Sequence, residues 1–203
     1  MSEDIIERAR RVLAAYRPQP LEDAEAAPAA VLILIYDRDG EPRILFTQRT
    51  QEVEHHKGQI SFPGGACDEE DADLLTTALR ETFEEIGVRP QDVEVLGQLD
   101  DLITSSGFRV TPYVGVLCPG GQTARMGRPS GRTQWPYPFA PHPREVAELI
   151  EVPLGHLLDD GNMEMELRQW KGEAVLVPAY VYGRHRIWGA TARILKQLLG
   201  LLS

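Results

Sequence analysis

The most constraining segment of this chain is Ala29-Ala30-Val31-Leu32-Ile33-Leu34-Ile35-Tyr36. It is continuous, apolar, short and rich in β-branched residues, so it reads as a buried strand. It is too short to cross a bilayer. Asp37-Arg38-Asp39-Gly40 is a turn, and Arg43 to Arg49 is the returning strand of a hairpin. Before them, Ile5, Ile6, Ala9, Val12, Leu13 and Tyr16 have helical spacing, which predicts an amphipathic helix over 3–16 ended by Arg17-Pro18. Glu22 to Pro28 reads as a linker, and residues 50–61 as a polar loop.

After the hairpin, Ala72 to Ile86 is a predicted helix stopped by Gly87. Val93–Leu99 and Arg109–Leu117 are predicted strands. Residues 119–143 are rich in Gly, Pro and Arg and read as a long insertion loop. Glu145 to Leu158 is expected to begin helical and turn at Pro153. Met163–Trp170 and Ala174–Tyr182 form a second hairpin through Lys171-Gly172. A last helix covers Trp188–Leu202, with Ala190, Ile194, Leu195, Leu198 and Leu202 on one side. A length of 203 residues and this alternation indicate one α/β or α+β domain.

Charge narrows the partners. The chain carries a formal net charge of −10. Residues 66–101 hold 12 acidic side chains against Arg80 and Arg89, an excess equal to that of the whole chain. Residues 102–144 hold no acid and 5 arginines. Nucleic acid and anionic membrane are therefore not expected as main partners. The acidity belongs largely to one helix and its approaches. Cys67 and Cys118 offer neither a disulfide framework nor zinc spacing, and no secretory leader is read at Met1-Ser2-Glu3-Asp4, so a reducing cytoplasm is expected.

The helix within this block carries two stripes. Leu75, Ala78, Leu79, Thr82, Phe83 and Ile86 form an apolar one. Glu81, Glu84 and Glu85 share a second face at i, i+3 and i+4. These carboxylates repel one another, each pair costing a few tenths of a kcal/mol, and stand at the negative end of the helix dipole, which disfavours each by roughly 0.3–1 kcal/mol. Arg80 relieves part of this by pairing with Glu84. A hard divalent cation such as Mg²⁺ or Mn²⁺ would relieve the remainder, with phosphate oxygens completing its shell. The bland alternative is a solvated acidic face. Gly64-Gly65, just upstream, lets backbone approach a ligand closely.

Gly65 followed by Arg80-Glu81-Thr82-Phe83-Glu84-Glu85-Ile86-Gly87-Val88 resembles the Nudix box, here residues 65–88. The spacer is one residue longer than the general pattern, and its acidic residue is Asp71 rather than Glu. The coenzyme A pyrophosphatase branch is similar in that longer spacer. It is similar also in Leu45-Phe46-Thr47-Gln48-Arg49-Thr50, His56 to Gly65, Thr111 to Gly115, Glu145 to Glu148 and Trp188 to Ala192. Where the branch has a second Arg, this chain has Glu54.

The resemblance implies a Nudix fold, α+β, with a mixed sheet sandwiched between helices. It implies metal-dependent hydrolysis of coenzyme A or its thioesters to 3′,5′-ADP and 4′-phosphopantetheine or its acyl form. Glu81 and Glu85 are expected as principal ligands of Mg²⁺ or Mn²⁺, with Glu84 a further ligand or a base. Arg80 orients the glutamates, and Glu145 or Glu148 is a candidate general base. Arg49, Phe62, Gly64 and Gly65 are candidate substrate contacts. Arg109, Arg125, Arg128 and Arg132 suit the 3′-phosphate, and Trp135, Tyr137 or Phe139 suit adenine. His55 and His56 read as polar loop residues. A homodimer is compatible with the sequence. Two alternatives are a Nudix enzyme for ADP-ribose or a dinucleotide, and a non-catalytic nucleotide sensor.

Overall fold

The computed structural model describes residues 4–21, 25–51, 58–118, 136–170 and 173–203. Helix α1 is Ile5–Ala15, capped by the Asp4 carboxylate, which accepts from the Ile6 amide. Strand β1, Ala27–Arg38, turns into β2, Glu41–Arg49, and the two pair antiparallel. Short strands β3, Ile60–Ser61, and β4, Gly64–Ala66, lead to helix α2, Leu74–Ile86. Then come β5, Val93–Gln98, β6, Leu102–Ile103, and β7, Phe108–Leu117. Strand β8, Val146–Pro153, the short helix α3, Leu154–Leu157, and the strands β9, Met163–Trp170, β10, Glu173–Tyr182, and β11, His185–Ile187, precede α4, Gly189–Leu202.

The main sheet runs β3-β2-β1-β7-β5, with β4 also on β1, β6 on β7 and β8 on the far side of β2. It is mixed, because β1 and β7 are parallel while the other pairs are antiparallel. A separate antiparallel sheet runs β11-β10-β9.

Strand β1 is the spine. Leu32, Ile33, Leu34, Ile35 and Tyr36 are fully buried, and successive residues point to opposite faces. Ile33 and Ile35 enter a core built with α1, α3 and α4. Leu32, Leu34 and Tyr36 enter a second core under α2, with Ala78, Ile86 and Tyr137. The sheet is thus covered on both faces, as the Nudix resemblance implies. Among the described residues no helix is long and apolar enough to cross a membrane.

Three expectations are corrected. The helix expected to begin at Glu145 is strand β8. Val146, Leu149, Ile150 and Pro153 have helical spacing, but the free edge of β2 offers a ladder from Arg43↔Pro153 to Arg49↔Val146. Pairing there buries Val146, Ile150 and Val152. The polar loop over 50–61 ends in β3, which pairs with Thr47 and Gln48. In α2, Ala78, Thr82 and Ile86 are buried as expected, but Phe83 is 51% exposed and Glu85 is buried. The helix is turned toward its glutamate side, where small Ala78 and Thr82 let it lie close to β1 and β4.

Gly64 is the tightest fit in this arrangement. Its φ is 149°, and a Cβ there would stand 2.3 Å from the Ala30 carbonyl oxygen and 2.6 Å from the Val31 Cα. Neither backbone atom can yield while β4 pairs with β1. Gly64→Ala is expected to destabilise the fold by roughly 1–3 kcal/mol from overpacking alone. Chemical unfolding of the two proteins measures it, and equal midpoints with equal slopes would contradict the close approach.

Candidate active site

The site is built where β4, the α2 face and the end of β2 meet. The Asp73 carboxylate starts α2 by accepting from the Thr76 amide at 2.7 Å and the Thr76 hydroxyl at 2.8 Å. These bonds hold the Asp73 carboxyl below its usual range. Gly87 ends the helix in the left-handed region at φ 74°. Between these limits one turn of helix places Glu81 and Glu85 on the same side, facing the Gly64-Gly65 backbone.

Arg80 organises the acidic face. Its Nε and Nη2 form a fork on the Asp71 carboxylate at 2.9 and 2.8 Å. Its Nη1 donates to Glu81 at 2.8 Å and to Glu84 at 3.1 Å, and Nη2 reaches the Ala66 carbonyl at 3.3 Å. The Asp71 side chain is 3% exposed and also accepts from the Thr77 hydroxyl and the Asp68 amide. Arg80, with these donors, holds the Asp71 carboxyl well below the usual carboxylate range, and Asp71 raises the guanidinium in turn. Nothing local in the sequence pairs residues 71 and 80; they meet because the turn before α2 folds back along the helix.

Glu85 is the most unusual carboxyl. Its side chain is 4% exposed, and burial pushes it up to about 8. Arg49 Nη1 at 3.6 Å and the Gly64 amide at 3.4 Å pull the other way, while Glu81 and Glu145 add repulsion. Glu81 is raised as well, first by burial, with Arg80 opposing and Glu84 and Glu145 reinforcing. A Cβ on Gly65 would lie 2.5–2.7 Å from the Glu81 carboxylate atoms, so only glycine leaves that carboxylate its place. Glu84 is more open, at 55%.

This donor set fits a hard divalent cation. Among the described residues no three acidic, histidine or cysteine side chains close into a cage. Partly desolvated carboxylates that repel one another are what such an ion stabilises, and an incomplete protein shell leaves room for substrate oxygens. Glu81 and Glu85 would hold it, with Glu84 at the margin.

Of the other expected residues, Glu145 stands close enough to Glu81 and Glu85 to raise both. Glu148 points elsewhere and is held by Arg184 at 2.7 Å and His185 at 3.4 Å. Phe62 is corrected as a substrate contact: it is 2% exposed, with its ring stacked on Phe46 at 4.9 Å, so it is core. Tyr137 is corrected as an adenine platform, because it is buried and donates to Asp92 at 2.9 Å. Phe139 packs between Tyr137 and Tyr36. Arg109 donates to the Leu21 carbonyl at the start of β7. Arg125, Arg128, Arg132, Trp135, His55 and His56 lie outside the described residues.

The Asp71–Arg80 pair has a pH signature. The folded Asp71 carboxyl lies below its unfolded value, so its contribution is complete above about pH 4 and is lost as pH falls through the folded value. Asp71→Asn is therefore expected to be less stable than wild type near about pH 7, with the gap narrowing toward about pH 3. Urea unfolding at the two pH values reads this, and a constant gap would contradict it.

Known proteins are similar to this chain over most of its length. The NUDIX domain family model matches residues 26–172. A protein of Photorhabdus laumondii named "Uncharacterized Nudix hydrolase NudL" is 38% identical over 170 residues, covering 84% of this chain and 82% of the relative. The protein of the same name in Salmonella typhimurium is 36% identical over 183 residues, covering 90% and 86%. Among solved structures, a MutT/nudix family protein from Enterococcus faecalis superimposes with a TM-score of 0.52 at 15% identity, over 97% of this chain and 73% of that one. A NUDIX hydrolase from Alicyclobacillus acidocaldarius gives 0.50 at 20% identity, over 88% and 93%. The box on its loop and helix, the doubly covered mixed sheet and these relatives lead to one conclusion: the chain belongs to the Nudix hydrolase family.

Proposed function

We propose that the protein hydrolyses the diphosphate bond of coenzyme A or its thioesters, with Mg²⁺ or Mn²⁺ as cofactor. The products are 3′,5′-ADP and 4′-phosphopantetheine or its acyl form. The observation that carries this reading is the position of Arg49. Arg49 belongs to the upstream segment that resembles the coenzyme A branch, and its guanidinium reaches the buried Glu85 of the box. Its Nε is buried and has no hydrogen-bond partner among the described residues. A buried donor without an acceptor is costly, and a phosphoryl oxygen is a natural acceptor for it.

The remaining roles follow from position. Glu81 and Glu85 hold the cation, and Glu84 serves as a further ligand or a base. When bound, the cation supplies Lewis-acid polarisation of the phosphoryl group and a lowered pKa for a bound water. Arg80 keeps Glu81 and Glu84 in place through charge-assisted bonds while Asp71 fixes Arg80. The backbone at Gly64 and Gly65 lets the diphosphate come close. Glu145, half-exposed and facing the box carboxylates, accepts the proton of the attacking water. Arg125, Arg128 and Arg132 remain the candidates for the 3′-phosphate. A small anionic molecule is thus the partner, with neither nucleic acid nor membrane required.

Steady-state kinetics with coenzyme A, its 3′-dephospho form and ADP-ribose test the substrate. Coenzyme A is expected to have the highest kcat/KM, with 3′,5′-ADP among its products. A clear advantage for either other compound would overturn the assignment in favour of another nucleoside diphosphate derivative. Glu85→Gln is expected to lower kcat by at least about a hundredfold, the scale for removing one electrostatic stabiliser, with unchanged circular dichroism. Near-normal turnover of all three compounds by that variant would contradict the ligand assignment.

A further inference from the structure

Residues 137–145, the end of the predicted insertion and the two residues after it, form a strap along the C-terminal end of α2. The last carbonyls of a helix lack partners within the helix. Here the Ala140 amide donates to the Ile86 carbonyl at 2.9 Å, and the His142 amide donates to the Glu85 carbonyl at 2.8 Å. The strap fits so closely that a Cβ on Gly87 would come within 2.9 Å of the Ala140 Cβ. The chain then turns, with the Glu145 amide donating to His142 O at 3.0 Å, and the Thr50 amide donates to the Glu145 carbonyl at 2.9 Å.

At its upstream end the strap is locked by Tyr137. The ring packs in the core under α2, and the hydroxyl donates to the 1%-exposed Asp92 while accepting from the Arg89 amide. Asp92 also receives the Arg89 Nε at 2.8 Å. Between Tyr137 and Glu145 the strap touches the backbone of the same helical turn that carries Glu85.

We propose that Tyr137 is a positioning residue: by anchoring the strap on Asp92, it fixes the register in which Glu145 faces Glu81 and Glu85. This rests on the reading that Glu145 takes a proton in the reaction. It assigns a task to one end of a segment that the Nudix box does not include.

The test is a double-mutant cycle with Tyr137→Phe and Glu145→Gln, assayed in parallel on coenzyme A, 3′-dephospho-coenzyme A and ADP-ribose. Tyr137→Phe keeps the ring in the core and leaves Asp92 its Arg89 partner, so the fold is retained. Loss of a hydrogen bond to a buried carboxylate is expected to speed exchange of the Ala140 and His142 amides by about tenfold. The same variant is expected to lower kcat by about tenfold with little change in KM, and to have no further effect on kcat once Glu145 is Gln. An undiminished kcat loss in the Glu145→Gln background, or full kcat with loosened amides, would overturn the positioning role alone. Full kcat in Glu145→Gln itself would overturn the role of Glu145, and the proposal with it.

Discussion

The acidic face of α2 depends on a single guanidinium. Arg80 grips Asp71 with two nitrogens and Glu81 and Glu84 with the third. Without it, three carboxylates in the last turns of a helix would repel one another and the helix dipole together. A lysine would not substitute, because a point charge has no fork to share between an aspartate on the incoming turn and glutamates on the helix. The Asp71 contact matters as much as the glutamates. It ties the turn before α2 to the helix face, and the bond from Arg80 to the Ala66 carbonyl joins the end of β4 to them. Dissecting Arg80 by substitution alone would confuse folding with chemistry, since the same side chain serves both.

A second constraint is the turn of α2 about its axis. An amphipathic helix would bury Phe83 and expose Glu85, and here the reverse holds. Leaving an aromatic ring half in water and drawing a carboxyl out of it both oppose stability. What the orientation provides is a desolvated carboxylate beside Arg49 and next to a backbone bare of Cβ atoms at Gly64 and Gly65. Local rules broken in this way, with no local benefit, are a mark of a functional site. The fold around it is otherwise consistent, with β1 buried on both faces and each face covered.

The sequence announced those features that periodicity or spacing carries locally. Strand β1, its hairpin with β2, helix α4 and the β9–β10 hairpin lie within a few residues of expectation. The three box glutamates were legible because one helical turn puts them together. Strand β8 was not, since its apolar residues satisfy both a helical and an alternating pattern until β2 decides. The burial of Glu85, the Arg49 contact, the Asp71–Arg80 fork and the Tyr137–Asp92 lock were not legible either. Each joins residues from different elements, and no window along the chain holds both partners.

The same nonlocal partners change the meaning of the acidic block. Read as a run, residues 66–101 suggest a strongly negative surface serving a cation. In three dimensions several of those charges are structural. Asp71 holds Arg80, Asp73 caps α2, and Asp92 anchors Tyr137 and Arg89. Glu94 binds Arg10 of α1, Asp100 accepts from Tyr16 and the Gln19 amide, and Asp101 accepts from Thr111 and the Leu21 amide. These acids fasten α1, the segment after it and the strap to the sheet. The carboxyls that burial and their neighbours leave raised are far fewer: Glu81 and Glu85, with Glu145 near them. An anionic substrate brought there would meet a small, partly buried cluster of carboxyls, not a broad negative field. On the function proposed above, Arg49, 3.6 Å from Glu85, is then the group placed to discriminate among anionic substrates.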